Sequence, residues 1–440
     1  MPDGLSTLVK LYFPSSAGEL CIGGVTPSTL ANEYDTPLFV YDRGILDKKW
    51  TLLRQSLPRE FSIFYSVKAN PNQTILRQFL SLGAGLEIAS GGEFCQALAA
   101  GCPPANILFA GPGKSERELE LVLGKGVGEI HLESQLEAER VIAISRRLGV
   151  RARVALRVNP GAEAEGGAMR MGGRPAPFGV DEESLEGFLD FLCSAPEIDF
   201  GGIHVFSGTQ ILDSEILVSQ YRKGIDIARR AAARLQRPLR RVDFGGGLGV
   251  PYFSHEQALD TVKLKAALEE LMCKVRRDPA FVGTEFLVEP GRFLVAEAGV
   301  YIVKIIDIKV SRGKKFLITD GGMHHHLAAS GNLGQTIKRN YPVAVLNRLK
   351  DPDGQAVDVV GPLCTPLDVL ARNIVLPNAS VGDLIGVFQS GAYARAASPL
   401  NFLSHPSPPE VWVDASRHRL IRHRGVYADF MRDLCSVERE

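Results

Sequence analysis

The sequence predicts an α/β protein, a (β/α)8 TIM barrel followed by a C-terminal all-β domain. Two observations carry this. From Pro37 to Gly291, short runs rich in β-branched and aromatic residues alternate with longer segments of helical period. From about Gly299 the helical period stops, and β-rich runs follow one another between Gly, Pro and Asp. The expected domains are 1–35, N-terminal strands joining the β domain; 36–291, the barrel; and 292–440, the β-barrel-like domain.

In chain order, two apolar runs, Thr7 to Phe13 and Leu20 to Val25, flank Pro14, Ser15, Ser16 and Gly18 and read as strands around a turn. After the PLFVYD lead-in come eight strand candidates: FSIFYSVK, GLEIAS, NILFA, GEIHLES, RARVALRVN, GGIHVF, RRVDFGGG and TEFLVEPG. Helix starts are marked by Ser-x-x-Glu/Gln boxes, in which the serine oxygen takes a free backbone amide and the side chain three residues on reaches back. They are Ser90 with Glu93, Ser115 with Glu118, Ser134 with Glu137 and Ser254 with Gln257. The seventh helix carries Leu264, Leu268, Leu271 and Val275 on one face. Beyond it, GVYIVKIIDIKV, KKFLITDGG, QAVDVVGP, GDLIGVFQSGAY and PEVWVD are the strands of the β domain.

Barrels gather their chemistry at the C-terminal ends of the strands, and the polar residues stand there. Lys68 closes the first strand, Glu87 the second, Arg157 and Asn159 the fifth, His204 the sixth, Gly245, Gly246 and Gly247 the seventh, and Glu289 the eighth. A doubly wound open sheet does not use all eight ends.

Composition narrows the partners. Fifty basic residues balance fifty acidic ones, leaving neither a basic surface for nucleic acid nor an acidic tail, so a small molecule is expected. The seven cysteines are scattered, without CxxC spacing, which speaks against a disulfide framework or zinc ribbon and for a reducing compartment. No apolar run has the length of a membrane span and no secretory leader is read, so the expected location is cytoplasmic, without a membrane partner.

An ammonium at the mouth of an apolar strand is desolvated, and the neutral amine condenses with aldehydes. Lys68 fits that description, and equally that of a lysine snorkelling to solvent. The GGGLG loop permits close backbone approach where barrels bind phosphate, although such loops alone are weak signals. Glu289-Pro290-Gly291-Arg292 sets a carboxylate and a guanidinium on either side of a tight turn, either for a pyridine nitrogen and a substrate carboxylate or as an ion pair closing the rim. His204 is a flat ring at a strand end, for stacking or as a hydrogen-bonded core histidine. Together they supply what pyridoxal 5′-phosphate requires: an amine, a phosphate cradle, a counter-charge for the pyridinium and a ring support. His324, His325 and His326 suggest a metal site at first sight. Consecutive residues diverge and no second ligand cluster is seen, so they are read as a loop lining the pocket and no metal is expected.

The motifs FYSVKAN, GLEIASGGEF, GIHVFSGTQ, VDFGGGLG, EPGRFLVAEAG, GPLCTPLD and SGAY, in this order from Thr36 to Tyr393, resemble those of the fold-type III pyridoxal-phosphate decarboxylases, the group of diaminopimelate and ornithine decarboxylases. The resemblance implies that Lys68 forms the internal Schiff base, Glu289 contacts the pyridine nitrogen and His204 stacks on the ring. Ser207, Gly245, Gly246, Gly247, Gly291 and Tyr393 would hold the phosphate, Glu87 and Arg157 would tune the ring and its surroundings, and Arg292 would sit near the phosphate or the substrate carboxylate. It also implies a homodimer with shared active sites. Cys364 of the G-P-x-C motif would come from the neighbouring subunit as the proton donor, its bland alternative being a buried, inert thiol.

Two departures bear on the substrate. Diaminopimelate decarboxylases have Glu after the G-P-x-C cysteine and ornithine decarboxylases have Asp; here Thr365 takes that place. The Arg-Pro-Ala-Leu-Tyr run of the former is also missing, since Asp320-Gly321-Gly322-Met323 is followed by HHHLAASGN. A pocket without that acid binds a distal ammonium poorly. The pattern is similar to the butirosin-pathway type of decarboxylase, which acts on a glutamyl group tethered to a carrier protein. The Gly-rich loop Gly166 to Gly179 fits an open entrance or a plain surface loop. The expected activity is α-decarboxylation of an L-amino acid, free or carrier-tethered. A diaminopimelate decarboxylase, a pyridoxal racemase and a non-catalytic cofactor-binding relative are the alternatives.

Overall fold

The structure, a computed structural model, describes residues 3–16, 18–161, 169–170, 175–333, 335, 337–348 and 354–435. Half of the Gly166–Gly179 loop falls outside them. The chain forms two compact units, Trp50–Val250 with Ala258–Phe293, and Met1–Lys49 with Pro251–Gln257 and Leu294–Glu440.

The first unit is a closed parallel barrel. Its strands are Phe61–Ser66, Gly85–Ile88, Ile107–Phe109, Glu129–Leu132, Ala152–Asn159, Ile198–Val205, Arg241–Asp243 and Glu285–Val288, one from each of the eight predicted runs. Each pairs in parallel with the next, and the eighth pairs with the first through Phe286↔Phe61, Leu287↔Ser62 and Val288↔Ile63, which closes the sheet. Phe64, Leu108 and Leu287 form a buried cluster. Phe64 occupies the space that glycine leaves at Gly85, where a Cβ would lie 2.2 Å from its Cε1.

The serine boxes set the helix starts as expected at three places. Ser90 accepts from the amide of Glu93 (3.1 Å), Ser134 from that of Glu137 (3.2 Å), and Ser115 and Glu118 cap each other reciprocally. The fourth box does not start a helix. The carboxylate of Glu256 instead binds the amides of Tyr252 (2.8 Å) and Phe253 (3.2 Å), which ties that segment into a turn. The helix begins at Thr261, capped by Asp260, and buries the Leu264, Leu268, Leu271 and Val275 face.

The second unit is built on the long strand Gly299–Ser311. It pairs antiparallel with Leu38–Asp42, Lys314–Thr319 and Leu384–Val387. Leu38–Asp42 also runs parallel to Glu410–Asp414, and Lys314–Thr319 parallel to Gly354–Val360. Leu38–Asp42 was expected at the start of the barrel domain, yet it lies inside this sheet with all five residues buried. The N-terminal expectation of strands is corrected. Asp3–Tyr12 is a helix, because Leu5 and Leu8, both buried, recur at helical spacing rather than alternating. Among the described residues there, Ser15–Ser16 pairs with Glu19–Leu20 as a separate small sheet and Ile22 bridges Val25. Among the described residues, no helix is long and apolar enough to cross a membrane.

Gly85→Ala should destabilise the barrel by about 1–3 kcal/mol through overpacking. Combined with Phe64→Leu, the cost should be less than the sum of the two single changes in a denaturation double-mutant cycle. Strict additivity would refute the contact.

Candidate active site

The first barrel strand runs into a single 3-10 turn, Val67–Ala69, which carries Lys68. Its Nζ lies 3.2 and 3.1 Å from the two carboxylate oxygens of Glu87, and Ser66 Oγ donates to the same carboxylate at 2.5 Å. The Lys68 side chain is 46% exposed, that of Glu87 only 1%. The expectation that the apolar strand desolvates the ammonium is therefore corrected. The strand is buried, but the head of Lys68 meets the Glu87 carboxylate and solvent rather than an apolar surround. Burial pushes the Glu87 carboxyl up, yet the Lys68 charge and the Ser66 hydroxyl overcome it and hold the group below its ordinary value. One helical turn on, burial raises Glu93 to about 7, although the Ala89 amide donates to it at 2.7 Å.

At the eighth strand, Glu289 enters a buried cluster with His131, His204 and Asp243, whose donor atoms all lie within 4.8 Å of one another. His131 Nδ1 and His204 Nδ1 share a hydrogen bond of 2.9 Å, and His204 Nε2 faces Glu289 at 3.6 Å. On its other side His131 Nε2 approaches Glu129 at 3.4 Å and Asp243 at 3.9 Å. Burial first, then the Asp243 and Glu87 charges, push the Glu289 carboxyl well above its ordinary value. Burial and His131 push the His204 ring well below its own, so it is a neutral imidazole.

The seventh-strand loop is shaped by its glycines. Gly245 (φ +65°) and Gly247 (φ +98°) adopt left-handed backbone, and a Cβ at Gly246 would lie 2.6 Å from the Glu289 carbonyl oxygen. The Gly245 amide donates to Asp243 at 2.7 Å, and its carbonyl accepts from the Glu289 amide at 2.7 Å. On the fifth strand the buried Arg157 donates to Glu133 at 2.8 Å, with Phe178 and Phe206 rings under its guanidinium at 5.2 and 6.0 Å. Glu133 also takes the Gly111 and Gly179 amides, so Arg157 is held in one orientation. Asn159 donates to Asp181 (2.9 Å), which turns it away from a binding role.

A phosphorylated pyridine aldehyde fits this set. Among the described residues, Glu289 Oε1, His204 Nε2 and Ser207 Oγ are buried polar atoms without a hydrogen-bond partner, the kind of atoms that such a group satisfies. The loop at Gly245 to Gly247 offers backbone where no side chain has room, and Lys68 supplies the amine. Gly291 follows Glu289 by one proline, and a Cβ there would meet Ala69 at 2.9 Å and Ser66 at 3.1 Å. Arg292 opens the next helical turn.

His131, Asp243 and Glu133 were not anticipated. A signal existed for the first, since Glu129 and His131 stand two apart on one face of an otherwise apolar strand. Asp243 and Glu133 carry no local mark.

Cys364, Thr365 and Tyr393 belong to the other unit. Cys364 is exposed rather than buried, on a loop whose base is tied by Asp368, which accepts from the amides of Leu363 (2.9 Å) and Met323 (2.6 Å). Thr365 Oγ1 accepts from the Leu367 amide at 3.3 Å. Tyr393 has φ +54°, a strained conformation for a bulky residue. The three histidines are buried; His325 bonds Tyr301 at 2.9 Å and His326 bonds Ser390 at 3.0 Å, so two of them are ring partners inside the fold.

Residues 43–296 match the family described as "Pyridoxal-dependent decarboxylase, pyridoxal binding domain". The chain is 36% identical over 414 residues to an L-glutamyl-[BtrI acyl-carrier protein] decarboxylase of Niallia circulans, covering 93% of this chain and 96% of the relative. It is 30% identical over 420 residues to a diaminopimelate decarboxylase of Aquifex aeolicus, covering 94% and 96%. Among solved structures, the diaminopimelate decarboxylase from M. jannaschi superposes with a TM-score of 0.89 at 26% identity, covering 98% and 99% of the two chains.

Glu93 gives a pH test. Its folded pKa of about 7 lies above the ordinary glutamate value of 4.5, so the native state favours the protonated acid, and stability is lost as pH rises from that value through the folded one. Glu93→Gln keeps an acceptor for the Ala89 amide and removes the charge. The drop in Tm between pH 5 and pH 8 should be smaller in this variant than in the wild type; an equal drop would refute the assignment.

Proposed function

The chain belongs to the pyridoxal-dependent decarboxylases, and from that premise we propose that it removes the α-carboxylate of an L-aminoacyl group delivered on a carrier protein. The protein is a pyridoxal phosphate-dependent lyase. The single observation carrying the substrate reading is Thr365, an uncharged residue where readers of a distal ammonium place an acid. The glutamyl-carrier relative supports it.

When bound, pyridoxal phosphate supplies an electron sink for the pair left by departing CO₂. Lys68 is the amine for its aldehyde. To act as a nucleophile Lys68 must lose a proton, and Glu87, 3.1 Å from Nζ, is the nearest base. Glu289, driven towards its neutral form by burial and Asp243, would face the ring nitrogen and supply its proton and counter-charge. His204, uncharged and fixed by His131, supports the ring face without adding a competing cation. Ser207, the loop Gly245 to Gly247, Gly291 and Tyr393 would hold the phosphate. Arg157, oriented by Glu133, and Glu87 tune the surroundings, and Arg292 takes the phosphate edge or the substrate carboxylate. Cys364, an exposed thiol, delivers the proton that replaces CO₂, supplied by the neighbouring subunit of a homodimer. Decarboxylation needs this one donor, whereas racemisation needs a base on each face of the carbon.

The relatives that are diaminopimelate decarboxylases support a second reading, in which the free dibasic acid is the substrate. The test is CO₂ release from a glutamyl-pantetheine thioester compared with free diaminopimelate, lysine, ornithine and glutamate. The thioester should exceed every free dibasic acid in kcat/KM by about 100-fold; efficient turnover of free diaminopimelate would overturn the carrier reading. Borohydride trapping should label the Lys68 peptide of the wild type, and Lys68→Ala should lose both label and CO₂ release.

A further inference from the structure

In the β-rich unit, a groove of about 780 Å³ is lined by Lys338, Arg339 and Arg372 together with Tyr252, Phe253 and Tyr341. No carboxylate is among its lining residues. All three cations are exposed, and among the described residues none forms an ion pair. Among their polar contacts, Lys338 donates to Asn332 at 2.6 Å and Arg339 meets a ring nitrogen of His255. Arg339 also lies over the Phe253 ring at 5.6 Å, and Tyr252 and Tyr341 pack at 4.6 Å. The Asn340 side chain bonds the backbone of Arg372 in both directions, donating at 2.7 Å and accepting at 2.8 Å, so the two cationic stretches are fastened to each other.

Three like charges gathered without a counter-charge, in a chain of zero formal net charge, repel one another until an anion joins them. The aromatic rings lining the same groove suit a compact apolar group beside that anion. We propose that the groove binds the phosphodiester and adjoining dimethyl-bearing segment of a carrier protein's phosphopantetheine arm. The proposal rests on the carrier-tethered reading above and names the part of the carrier that is recognised. Volume agrees, since pockets of about 300–1,000 Å³ hold ligands of this size.

The test is calorimetric titration of the full-length holoenzyme with 4′-phosphopantetheine, pantetheine and inorganic phosphate, at low and high salt. Phosphopantetheine should bind about tenfold tighter than pantetheine, the advantage falling with salt and disappearing in the triple variant Lys338→Ala, Arg339→Ala, Arg372→Ala. Lys338→Gln with Arg372→Gln provides a second, milder variant with the same expectation. Equal affinities for the two compounds, or an unchanged preference in both variants, would overturn the proposal. So would a carrier protein without its arm binding as tightly as the armed one, or a change of oligomeric state in the variants, which would mark the groove as an interface between copies. The titration requires no turnover. Binding that depends on the phosphate without CO₂ release would sink the function reading and leave the groove standing, and the reverse pattern would do the opposite.

Discussion

The parallel pairing of the eighth barrel strand with the first is the constraint on which the site depends. It continues past the strands themselves, since the Ser66 amide donates to the Pro290 carbonyl at 3.3 Å. The turn carrying Lys68 and the turn carrying Glu289 are thereby held side by side. The missing Cβ of Gly291 lets Ser66 and Ala69 come close enough for that pairing. Without closure, the amine and the acid would sit at opposite edges of an open sheet.

Within the closed barrel, two carboxylic acids of identical chemistry are driven in opposite directions. Glu87 is buried but faces an ammonium and a hydroxyl, and it stays ionised. Glu289 is buried beside Asp243, and burial with that charge pushes it towards its neutral form. The division of labour comes entirely from neighbours, because a glutamate has no preference of its own between the two roles. His131 and His204 share the buried cluster with Glu289 and Asp243, and a direct hydrogen bond between the two imidazoles fixes which nitrogen of each carries a proton relative to the other.

Much of this was legible in the sequence. The eight barrel strands could be read from their apolar runs, and Lys68, Glu87, Arg157, His204, Glu289 and the three glycines from their position at strand ends. What could not be read depended on register or on competition between side chains. Glu133 and Asp243 act across neighbouring strands, and nothing local announces which side chains a closed sheet brings opposite each other. Ser254 and Gln257 had the pattern of a helix start, but Glu256 captured the local amides first. The N-terminal run was too short for alternation and helical period to be told apart by eye. For Lys68 the apolar strand suggested a dry setting, while the half-exposed head and the Glu87 carboxylate provide a wet and paired one.

The strand Leu38–Asp42 lies between Gly299–Ser311 and Glu410–Asp414, both of which follow the whole barrel in the chain. During synthesis this apolar segment therefore leaves the ribosome long before either neighbour exists, with both of its edges open. The nascent enzyme must keep a sticky ribbon from foreign partners until the tail arrives, so chaperone demand and failed expression should concentrate at this early segment rather than at the self-sufficient barrel.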